Sequence, residues 1–390
     1  MSQPSPPLAR YPEPQSAGTV IVGISGGVDS AVAALLLCRA GYTVQGLFMS
    51  NWQDEDAYCT SAADFQDARR VCATLGIPLH RANFAAEYRE RVFAHFLDEY
   101  AAGRTPNPDV LCNREIKFGV CLDYMRRLGA AWIATGHYAR IEHQGGTRLL
   151  KAVDGAKDQS YFLHAVTPQA LARTLFPLGR LHKREVRRLA HAAGLAVFDK
   201  PDSTGICFIG ERPFQEFLGQ YLPPSPGPVE TADGRIIGEH RGLPFHTLGQ
   251  RSGLGLGGLP GAAAAPWYVA GKDVARNALI VVQDQNHPLL LSDAFDVAQL
   301  HWLGDAAPAG ARIACAVKTR HRQPDLACRF IMGHGMQARI LLNRPARAVT
   351  PGQYAVLYDG ERCIGGGVIT GRSNSDLPIE YNRRFAAEGS

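Results

Sequence analysis

The first half of the chain alternates short apolar runs with longer stretches that place apolar residues every three or four positions. The runs TVIVGI (19–24) and YTVQGLFM (42–49) are β-branched and apolar, which is typical of buried parallel strands. The stretches 64–76 and 113–129 show helical spacing. This alternation, from residue 19 to about 205, predicts an α/β domain with a doubly wound parallel sheet.

The second half has a different pattern. The segment PPSPGP (223–228) interrupts the helical rhythm, and glycine-rich stretches with short β-like runs follow it. Toward the C-terminus, short alternating runs separated by turns predict a small β-barrel. We therefore expect three domains, an α/β domain at 19–208, a small mixed or β central domain at 209–275 and a C-terminal β-barrel at 276–380.

Composition narrows the class of protein. The 390 residues carry a formal net charge of +5, a mildly basic balance that suits an RNA partner without requiring one. No apolar run is long enough to span a bilayer, and the proline-rich start lacks the apolar core of a secretory signal. We expect a cytoplasmic protein with no membrane partner.

The nine cysteines contain no Cys-x-x-Cys pair, which speaks against a zinc ribbon. Six of them lie within helical or strand patterns, where a buried thiol acts as a small apolar residue. These six are Cys38, Cys72, Cys121, Cys315, Cys328 and Cys363. Cys59 follows an acidic stretch, and nothing near it in the sequence indicates a chemical role. The remaining two cysteines, Cys112 and Cys207, lie in predicted loops.

The stretch SGGVDS (25–30) lies between a predicted strand and a predicted helix, where phosphates commonly bind. Its spacing fits neither the Gly-Lys-Ser/Thr phosphate loop nor the three-glycine dinucleotide fingerprint. Ser25 and Ser30 can donate to phosphate oxygens, whereas Asp29 would repel phosphate unless Mg²⁺ lies between them. The alternative is that Asp29 and Ser30 only cap the helix.

A second segment, TGHYAR (135–140), also follows a predicted strand. Ligands of doubly wound sheets bind at the carboxyl ends of the strands. The two segments therefore indicate one crevice.

Cys112 lies between the turn-rich stretch GRTPNPDV and a predicted helix start, with Arg114 and Lys117 close in sequence. A thiolate is favoured there by the helix dipole and the nearby cations. The alternative is that Cys112 is a buried thiol in a structural loop.

Cys207 follows a glycine in DSTGICFIGER, a segment without periodicity. A nucleotide turn together with two loop cysteines suits a sulfur transfer in which ATP activates an oxygen that a thiol-derived sulfur displaces.

SGGVDS resembles the pyrophosphate loop of the ATP pyrophosphatases, which implies an ATP-pyrophosphatase-like catalytic domain at 19–208. A series of longer blocks is similar to the bacterial tRNA-specific 2-thiouridylases, which implies that the central domain at 209–275 binds tRNA. The blocks are GISGGVDS, TPNPDVLCNREIKF, ATGHYAR, KDQSYFL, DSTGICFIGER, LGQRSGLGLGG, PWYVAGKD and TPGQYAVLYDGERCIGGGVI. They occur in the family's order from about 19 to 372. The resemblance implies ATP-dependent adenylation of the wobble uridine 2-oxygen in tRNA, followed by sulfur transfer from a cysteine persulfide, with AMP and pyrophosphate released.

The resemblance also implies roles for individual residues. ATP is expected to bind to Gly23, Ile24, Ser25, Gly26, Gly27, Val28, Asp29, Ser30, Met49 and Gly136. Mg²⁺ is expected at Asp29, bound through the ATP. The resemblance assigns the target base and tRNA to Asn107, Pro108, Asp109, His137, Lys157, Asp158, Gln159, Arg320, His321 and Gln353. Cys112 would be the nucleophile, Cys207 the persulfide carrier and Asp29 a third catalytic residue. A cysteine desulfurase or persulfide relay protein would supply the sulfur.

Two other functions remain open from the residues. A small-molecule synthetase of the same superfamily would need neither a persulfide cysteine nor an RNA-binding β domain. A non-catalytic tRNA-binding protein would need no ATP cleavage, although the intact Ser25, Asp29 and Ser30 favour an enzyme.

Overall fold

The computed structural model describes residues 18–52, 61–143, 146–202, 213–256 and 265–377. These residues fall into two compact units, each described by itself below. The first unit contains 18–93, 108–202 and 361–364, and the second contains 94–107, 213–360 and 365–377. No helix within the described residues has both the length and the apolar character needed to cross a bilayer.

The strands of the described residues, in chain order, are β1 Thr19–Gly23, β2 Thr43–Ser50, β3 Leu79–Asn83, β4 Trp132–Ala134, β5 Ala139–Glu142, β6 Arg148–Lys151, β7 Thr174–Leu175, β8 Gly227–Thr231, β9 Ile236–His240, β10 Tyr268–Asp273, β11 Ala278–Val282, β12 Leu291–Trp302, β13 Arg312–Lys318, β14 Leu326–Met332, β15 Ala338–Arg347, β16 Tyr354–Asp359 and β17 Arg362–Ser373.

The α-helices are α1 Val28–Arg39, α2 Ser61–Leu75, α3 Ala85–Tyr88, α4 Ala94–Ala101, α5 Pro108–Leu111, α6 Cys121–Arg127, α7 Ser160–Leu163, α8 Pro168–Leu171, α9 Lys183–Ala192 and α10 Phe214–Gly219. Two π-helical segments, Arg89–Phe93 and Cys112–Val120, continue α3 and α5. Short 3₁₀ turns occur at Leu243–Phe245 and Pro288–Leu290.

The first unit is built on a five-stranded parallel sheet in the order β3-β2-β1-β4-β7. The inner strands β1 and β4 are almost entirely apolar because both of their faces are covered, whereas the edge strand β3 is mostly polar. Val20 and Val22 pack into a core with α1, α2 and α9, while Ile21, on the opposite face, is also fully buried. The predicted doubly wound parallel sheet is confirmed.

The strand order determines where a ligand fits. From β1 the chain proceeds to β2 and β3 on one side, and then returns to β4 on the other side of β1. The carboxyl ends of β1 and β4 therefore flank the point at which the winding reverses, where open α/β sheets bind ligands. The segments that follow these two strands are 24–30 and 135–138.

The second unit contains a four-stranded mixed sheet and a closed barrel. The mixed sheet has the order β10-β11-β8-β9, with β11 and β8 parallel. The barrel is antiparallel, has the order β12-β15-β14-β13-β16-β17, and is closed by pairing of β12 with β17. The predicted C-terminal β-barrel is confirmed, and the division into three domains at the stated bounds stays a prediction.

One predicted helix begins earlier than expected. The sequence pattern predicts a helix over 113–129 with Cys112 just before it, but the helix begins at Pro108, four residues before Cys112. Proline is favoured at the first helical position because its missing N–H needs no partner there. Cys112 is therefore the first residue of the π-helical segment, in the second turn of the helix.

Candidate active site

The glycine-rich turn, residues 23–30, joins the end of β1 to α1 and is held closed by its two serines. The Ser25 backbone N–H donates to Ser30 Oγ over 3.1 Å, and the two hydroxyl oxygens are 3.2 Å apart. Ser30 Oγ in turn donates to the Gly27 carbonyl over 3.0 Å. Both predicted phosphate donors thus belong to one hydrogen-bonded turn.

The glycines of this region fall into two kinds. Gly26 has φ of 79°, and a Cβ there would collide with the Asp64 carbonyl. A Cβ on Gly136 would lie 2.7 Å from the Ser30 backbone nitrogen, so the 135–138 loop fits against the turn only without a side chain. Gly27 differs, because a Cβ there would meet only Ser25 Oγ, at 3.5 Å. Packing within the fold therefore requires glycine at 26 and 136 but leaves Gly27 with an open side.

Asp29 does not cap α1. The helix begins at Val28 with Gly27 as its N-cap, and the Asp29 carboxylate faces away toward two donors. Lys183 Nζ, at the start of α9, lies 2.7 Å from both carboxylate oxygens, and the Tyr138 hydroxyl donates to one of them over 2.8 Å. Burial, and then the neighbouring Asp29, raise the pKa of Tyr138, so its hydroxyl remains a donor.

The charge network extends to Asp202. Lys183 Nζ and Lys157 Nζ each lie 2.7 Å from an Asp202 carboxylate oxygen, and Arg187 lies 3.2 Å away. Burial raises the pKa of Asp202, but the hydrogen bonds from Lys157 and Lys183 outweigh it and hold the pKa at about 2. Asp202 is therefore charged at neutral pH and lies against three cations beside the glycine-rich turn.

A second lysine supports the turn from the other side. Lys200 Nζ donates to the Gly26 carbonyl over 3.1 Å and to the carboxylates of Asp64 and Asp67 at 2.7 and 2.6 Å. These bonds tie the turn to α2. Met49, on β2, lies beside Gly23, where a Cβ would be 3.7 Å from the methionine methyl group.

The 135–138 loop contacts a second element on its other side. His137 lies 5.9 Å, ring to ring, from Phe118 of the Cys112–Val120 segment. Its Nδ1 is 2.7 Å from Thr135 Oγ1. Burial, and then the charge of Lys117, hold the pKa of His137 well below its usual range, so the ring is neutral. One loop thus touches both the glycine-rich turn and the helix that carries Cys112.

Cys112 itself is 2% exposed. Its helix contains the π-helical segment and a residue with non-helical dihedrals, Gly119, where a Cβ would lie 2.9 Å from the Arg114 carbonyl. Such π-helical turns occur frequently at functional sites. The pKa of nearby Asp109 is raised by burial, with Lys117 acting in the opposite direction.

Asp158 and Gln159, which are also predicted to bind tRNA, form hydrogen bonds within the first unit. Asp158 is buried and accepts from Ala152 N, Ser160 N and Ser160 Oγ. Gln159 exchanges hydrogen bonds with the Tyr138 backbone at 2.8 and 2.9 Å. Their roles in binding tRNA stay predictions.

In the second unit, Arg320 lies on the turn between β13 and β14. Its guanidinium donates to the carbonyls of Leu248 and Ala348, both over 3.0 Å, and His321 follows it on the turn. Gln353 donates to the Thr105 and Pro106 carbonyls over 2.7 and 3.2 Å, and so holds the chain just before Asn107. Asn107 Oδ1 is buried and accepts no hydrogen bond from the described residues.

Cys207 lies outside the described residues, as does Cys59. The described residues contain no group of three or more His, Cys, Asp or Glu side chains arranged for a metal ion. At Asp29, both oxygens accept from Lys183, so these residues do not fit a metal ion held directly by Asp29 unless the lysine moves. Mg²⁺ at Asp29 stays a prediction.

Sequence reasoning missed the cations of the site. Lys183 and Lys200 lie far along the chain from the glycine-rich turn, and no motif in the sequence links them to it. The available signal was weak: Lys183 begins the stretch KREVRRLAHA, and Asp202 is the first residue of the DSTGICFIGER block. Tyr138 could have been predicted as a site residue, because it lies in the TGHYAR block.

The sheet and the turn at its switch point define the class of the first unit, a HUP domain. Residues 18–211 match the family profile described as "tRNA methyl transferase HUP domain". Residues 215–283 match "tRNA methyl transferase PRC-barrel domain", and residues 292–369 match "Aminomethyltransferase beta-barrel domain".

Curated relatives identify the family. The chain is 58% identical to the tRNA-specific 2-thiouridylase MnmA of Chromohalobacter salexigens, covering 92% of this chain and 94% of that protein. It is 54% identical to the protein of the same name from Marinobacter nauticus, over 98% and 100% of the two chains. The Hahella chejuensis protein of that name is 57% identical, over 90% and 96%. The chain belongs to the tRNA-specific 2-thiouridylase family.

Proposed function

We propose that this protein is a tRNA 2-thiouridylase that adenylates the 2-oxygen of the wobble uridine with ATP and then replaces that oxygen with persulfide sulfur. The observation that carries the proposal is the 135–138 loop. Through Gly136 and Tyr138 it contacts the glycine-rich turn, and through His137 it contacts the helix of Cys112. This contact supports a nucleotide site next to the helix that carries Cys112.

The ATP phosphates bind at the glycine-rich turn. The open side of Gly27 allows phosphate to approach the backbone closely, and Ser25 and Ser30 offer hydroxyls beside it. Lys183 supplies a cation 2.7 Å from Asp29. As the α–β bond of ATP breaks, negative charge grows on the pyrophosphate, and a lysine positioned beforehand stabilises it.

The target base binds at residues 107–109. A uridine in a stacked anticodon loop must leave the stack to be modified, so it needs a pocket in the protein. The raised pKa of Asp109 suits it to accept the proton from N3 of the uracil, which makes the 2-oxygen a better nucleophile toward the α-phosphate of ATP. Pyrophosphate leaves, and the base is then joined to AMP through its 2-oxygen.

Sulfur transfer follows in two substitutions. The terminal sulfur of a persulfide on Cys207 attacks carbon 2, and AMP leaves with the oxygen. The Cys112 thiolate then attacks the Cys207 sulfur, which frees the thiocarbonyl of the base and leaves a Cys112–Cys207 disulfide. A dithiol reductant restores both thiols. Because Cys112 is 2% exposed, this step requires its helix to move when tRNA binds.

Basic residues in each unit are predicted to contact the phosphates of the tRNA backbone. Lys157 lies in the charge network of the first unit, and Arg320 with His321 occupies the β13–β14 turn. Gln353 fixes the approach to Asn107 through its bonds to Thr105 and Pro106. The net charge of +5 agrees with an RNA ligand.

ATP would bring Mg²⁺ bound to its phosphates, and the ion would screen their charge. Both Asp29 oxygens accept from Lys183, so we assign the stabilisation of the pyrophosphate by the protein to Lys183. The sulfur comes from a persulfide-carrying desulfurase or relay protein. A cytoplasmic location remains the expectation from the sequence.

One experiment separates this function from its rivals. Purified protein is incubated with ATP labelled in the α-phosphate, with and without bulk tRNA, and AMP is measured. We expect AMP to form only with tRNA, and Asp29→Ala to abolish its formation while tRNA binding persists. AMP formation independent of tRNA would indicate a small-molecule synthetase, and no AMP at all a non-catalytic tRNA-binding protein. Incorporation of a methyl group from a methyl donor would instead support the activity named in the profile descriptions.

A further inference from the structure

Two cysteines outside the proposed site lie side by side on neighbouring strands of the barrel. Cys315 on β13 and Cys328 on β14 are directly opposite in the antiparallel register, and their sulfur atoms are 3.6 Å apart. Directly opposed residues on antiparallel strands have α-carbons about 4.5–5.5 Å apart. A disulfide requires about 4.4–6.8 Å. The two thiols therefore need only a small side-chain movement to become bonded.

The two thiols differ in access and in acidity. Cys328 is 4% exposed, whereas Cys315 is only half-buried. The hydrogen bond between them lowers the pKa of Cys315 and raises that of Cys328, because the sulfur that accepts the bond is stabilised as a thiolate. An oxidant arriving from solvent thus meets the more acidic and more accessible thiol first.

Simple packing does not explain this arrangement. Cys363, also in a strand, is fully buried opposite Leu149, as expected for a thiol that only fills space. Burial accounts for Cys328 in the same way. It does not account for a second, partly exposed cysteine directly opposite it with the two sulfurs in contact.

We propose that Cys315 and Cys328 form a reversible thiol–disulfide exchange site that reacts with low-molecular-weight disulfides. The Cys315 thiolate attacks one sulfur of the incoming disulfide, and the first small thiol leaves. Cys328 loses its proton and attacks the Cys315 sulfur, and the second small thiol leaves. Two protein thiols are oxidised to one disulfide, and one external disulfide is reduced to two thiols.

The site does not rest on the proposed function. It lies within one hairpin, formed by β13, β14 and the turn that connects them. That turn carries Arg320 and His321, so the oxidised form would cross-link the strands that support both residues.

The experiment uses full-length protein that has been reduced and freed of reductant. It is equilibrated with mixtures of reduced and oxidised glutathione, quenched with acid, alkylated and digested with trypsin. Cleavage after basic residues yields peptides 313–318 and 323–329, each with one cysteine. We expect these peptides to become linked as oxidised glutathione rises, with the two alkyl groups lost together. Peptide 363–372, which carries Cys363, should stay alkylated.

Two variants test the order of attack. In Cys328→Ser, Cys315 should stop at a mixed disulfide with glutathione, which the wild type resolves. In Cys315→Ser, Cys328 should remain alkylated at every ratio because it is buried. The proposal is overturned if the wild type never yields the linked peptide. It is also overturned if Cys328 takes up glutathione without Cys315.

Discussion

Lys183 Nζ lies 2.7 Å from both carboxylate oxygens of Asp29, although the two residues are 154 positions apart in the chain. The acidic residue of the glycine-rich turn is therefore paired with a lysine that is only 12% exposed. Lys183 also contacts Asp202, so one ammonium group bridges the two carboxylates. A phosphate that enters the turn finds a positioned cation rather than bare negative charge.

Replacing Lys183 should therefore impair ATP cleavage more than tRNA binding. Lys183→Ala leaves Asp29 and Asp202 without their shared cation, and we expect tRNA-dependent AMP formation to fall by roughly 100-fold or more, as when a charge-stabilising donor is lost. Lys183→Arg should retain part of the activity. Arg187→Ala is the matched control, since Arg187 lies on the same helix as Lys183 and also contacts Asp202. Equal losses in Lys183→Ala and Arg187→Ala would contradict a specific role for Lys183.

The two glycines of the turn should separate ligand binding from folding. Gly27→Ala should change the free energy of unfolding by less than about 1 kcal/mol, because its Cβ meets only Ser25 Oγ. It should nevertheless weaken ATP binding, since the methyl group occupies the open side. Gly26→Ala should destabilise the protein by about 1–3 kcal/mol through its φ of 79°. Chemical denaturation and nucleotide titration measure both, and unchanged ATP affinity in Gly27→Ala would place the phosphates elsewhere.

The cations around Asp202 predict a pH dependence of stability. Its pKa is held at about 2, below the usual 3.8, so its charged form stabilises the folded state above the usual pKa. This stabilisation is lost as pH falls from about 4 to about 2. Because Asp202 is one-third exposed, screening limits the effect to about 1 kcal/mol or less. Urea denaturation of wild type and Asp202→Asn should show a difference at pH 7 that shrinks toward pH 2, whereas a constant difference would exclude this cause.

The β13–β14 turn should contribute to tRNA affinity through charge. Arg320→Ala should weaken tRNA binding and reduce the slope of log affinity against log salt by about 1, as one phosphate contact is lost. Arg312→Ala, an exposed arginine at the far end of β13, is the control and should change neither. Filter binding at several salt concentrations measures both slopes. If the two variants have the same tRNA affinity and the same salt dependence, the β13–β14 turn does not contact the RNA.

Much of the fold followed from the sequence because buried parallel strands and amphipathic helices leave strong periodic signals. The turn at 25–30 and the loop at 135–138 were placed together because the carboxyl ends of neighbouring strands share one edge of a sheet. The pairing of Lys183 with Asp29 was not predictable, since tertiary packing alone brings α9 to the turn. The start of the Cys112 helix was missed because Pro108 suggested a loop, although proline also opens helices. Strands β5 and β6, each four residues long, were too short to show a pattern.

The facing cysteines show a further limit of sequence reasoning. Strand patterns around Cys315 and Cys328 indicated two separate buried thiols. Their direct opposition depends on the register of the hairpin, which the length and conformation of the turn determine. Only the structure reveals that the sulfur atoms are in contact.

The most direct test of the account is the formation of 2-thiouridine. Unmodified tRNA is incubated with the protein, Mg-ATP and a persulfide donor, then separated on a mercury-containing gel that retards thiolated RNA, and its nucleosides are analysed by mass spectrometry. We expect retarded tRNA containing 2-thiouridine only when ATP is present, none with Cys207→Ala, and sulfur retained on Cys207 with little product in Cys112→Ala. Thiolation without ATP, or full activity in both cysteine variants, would contradict the account.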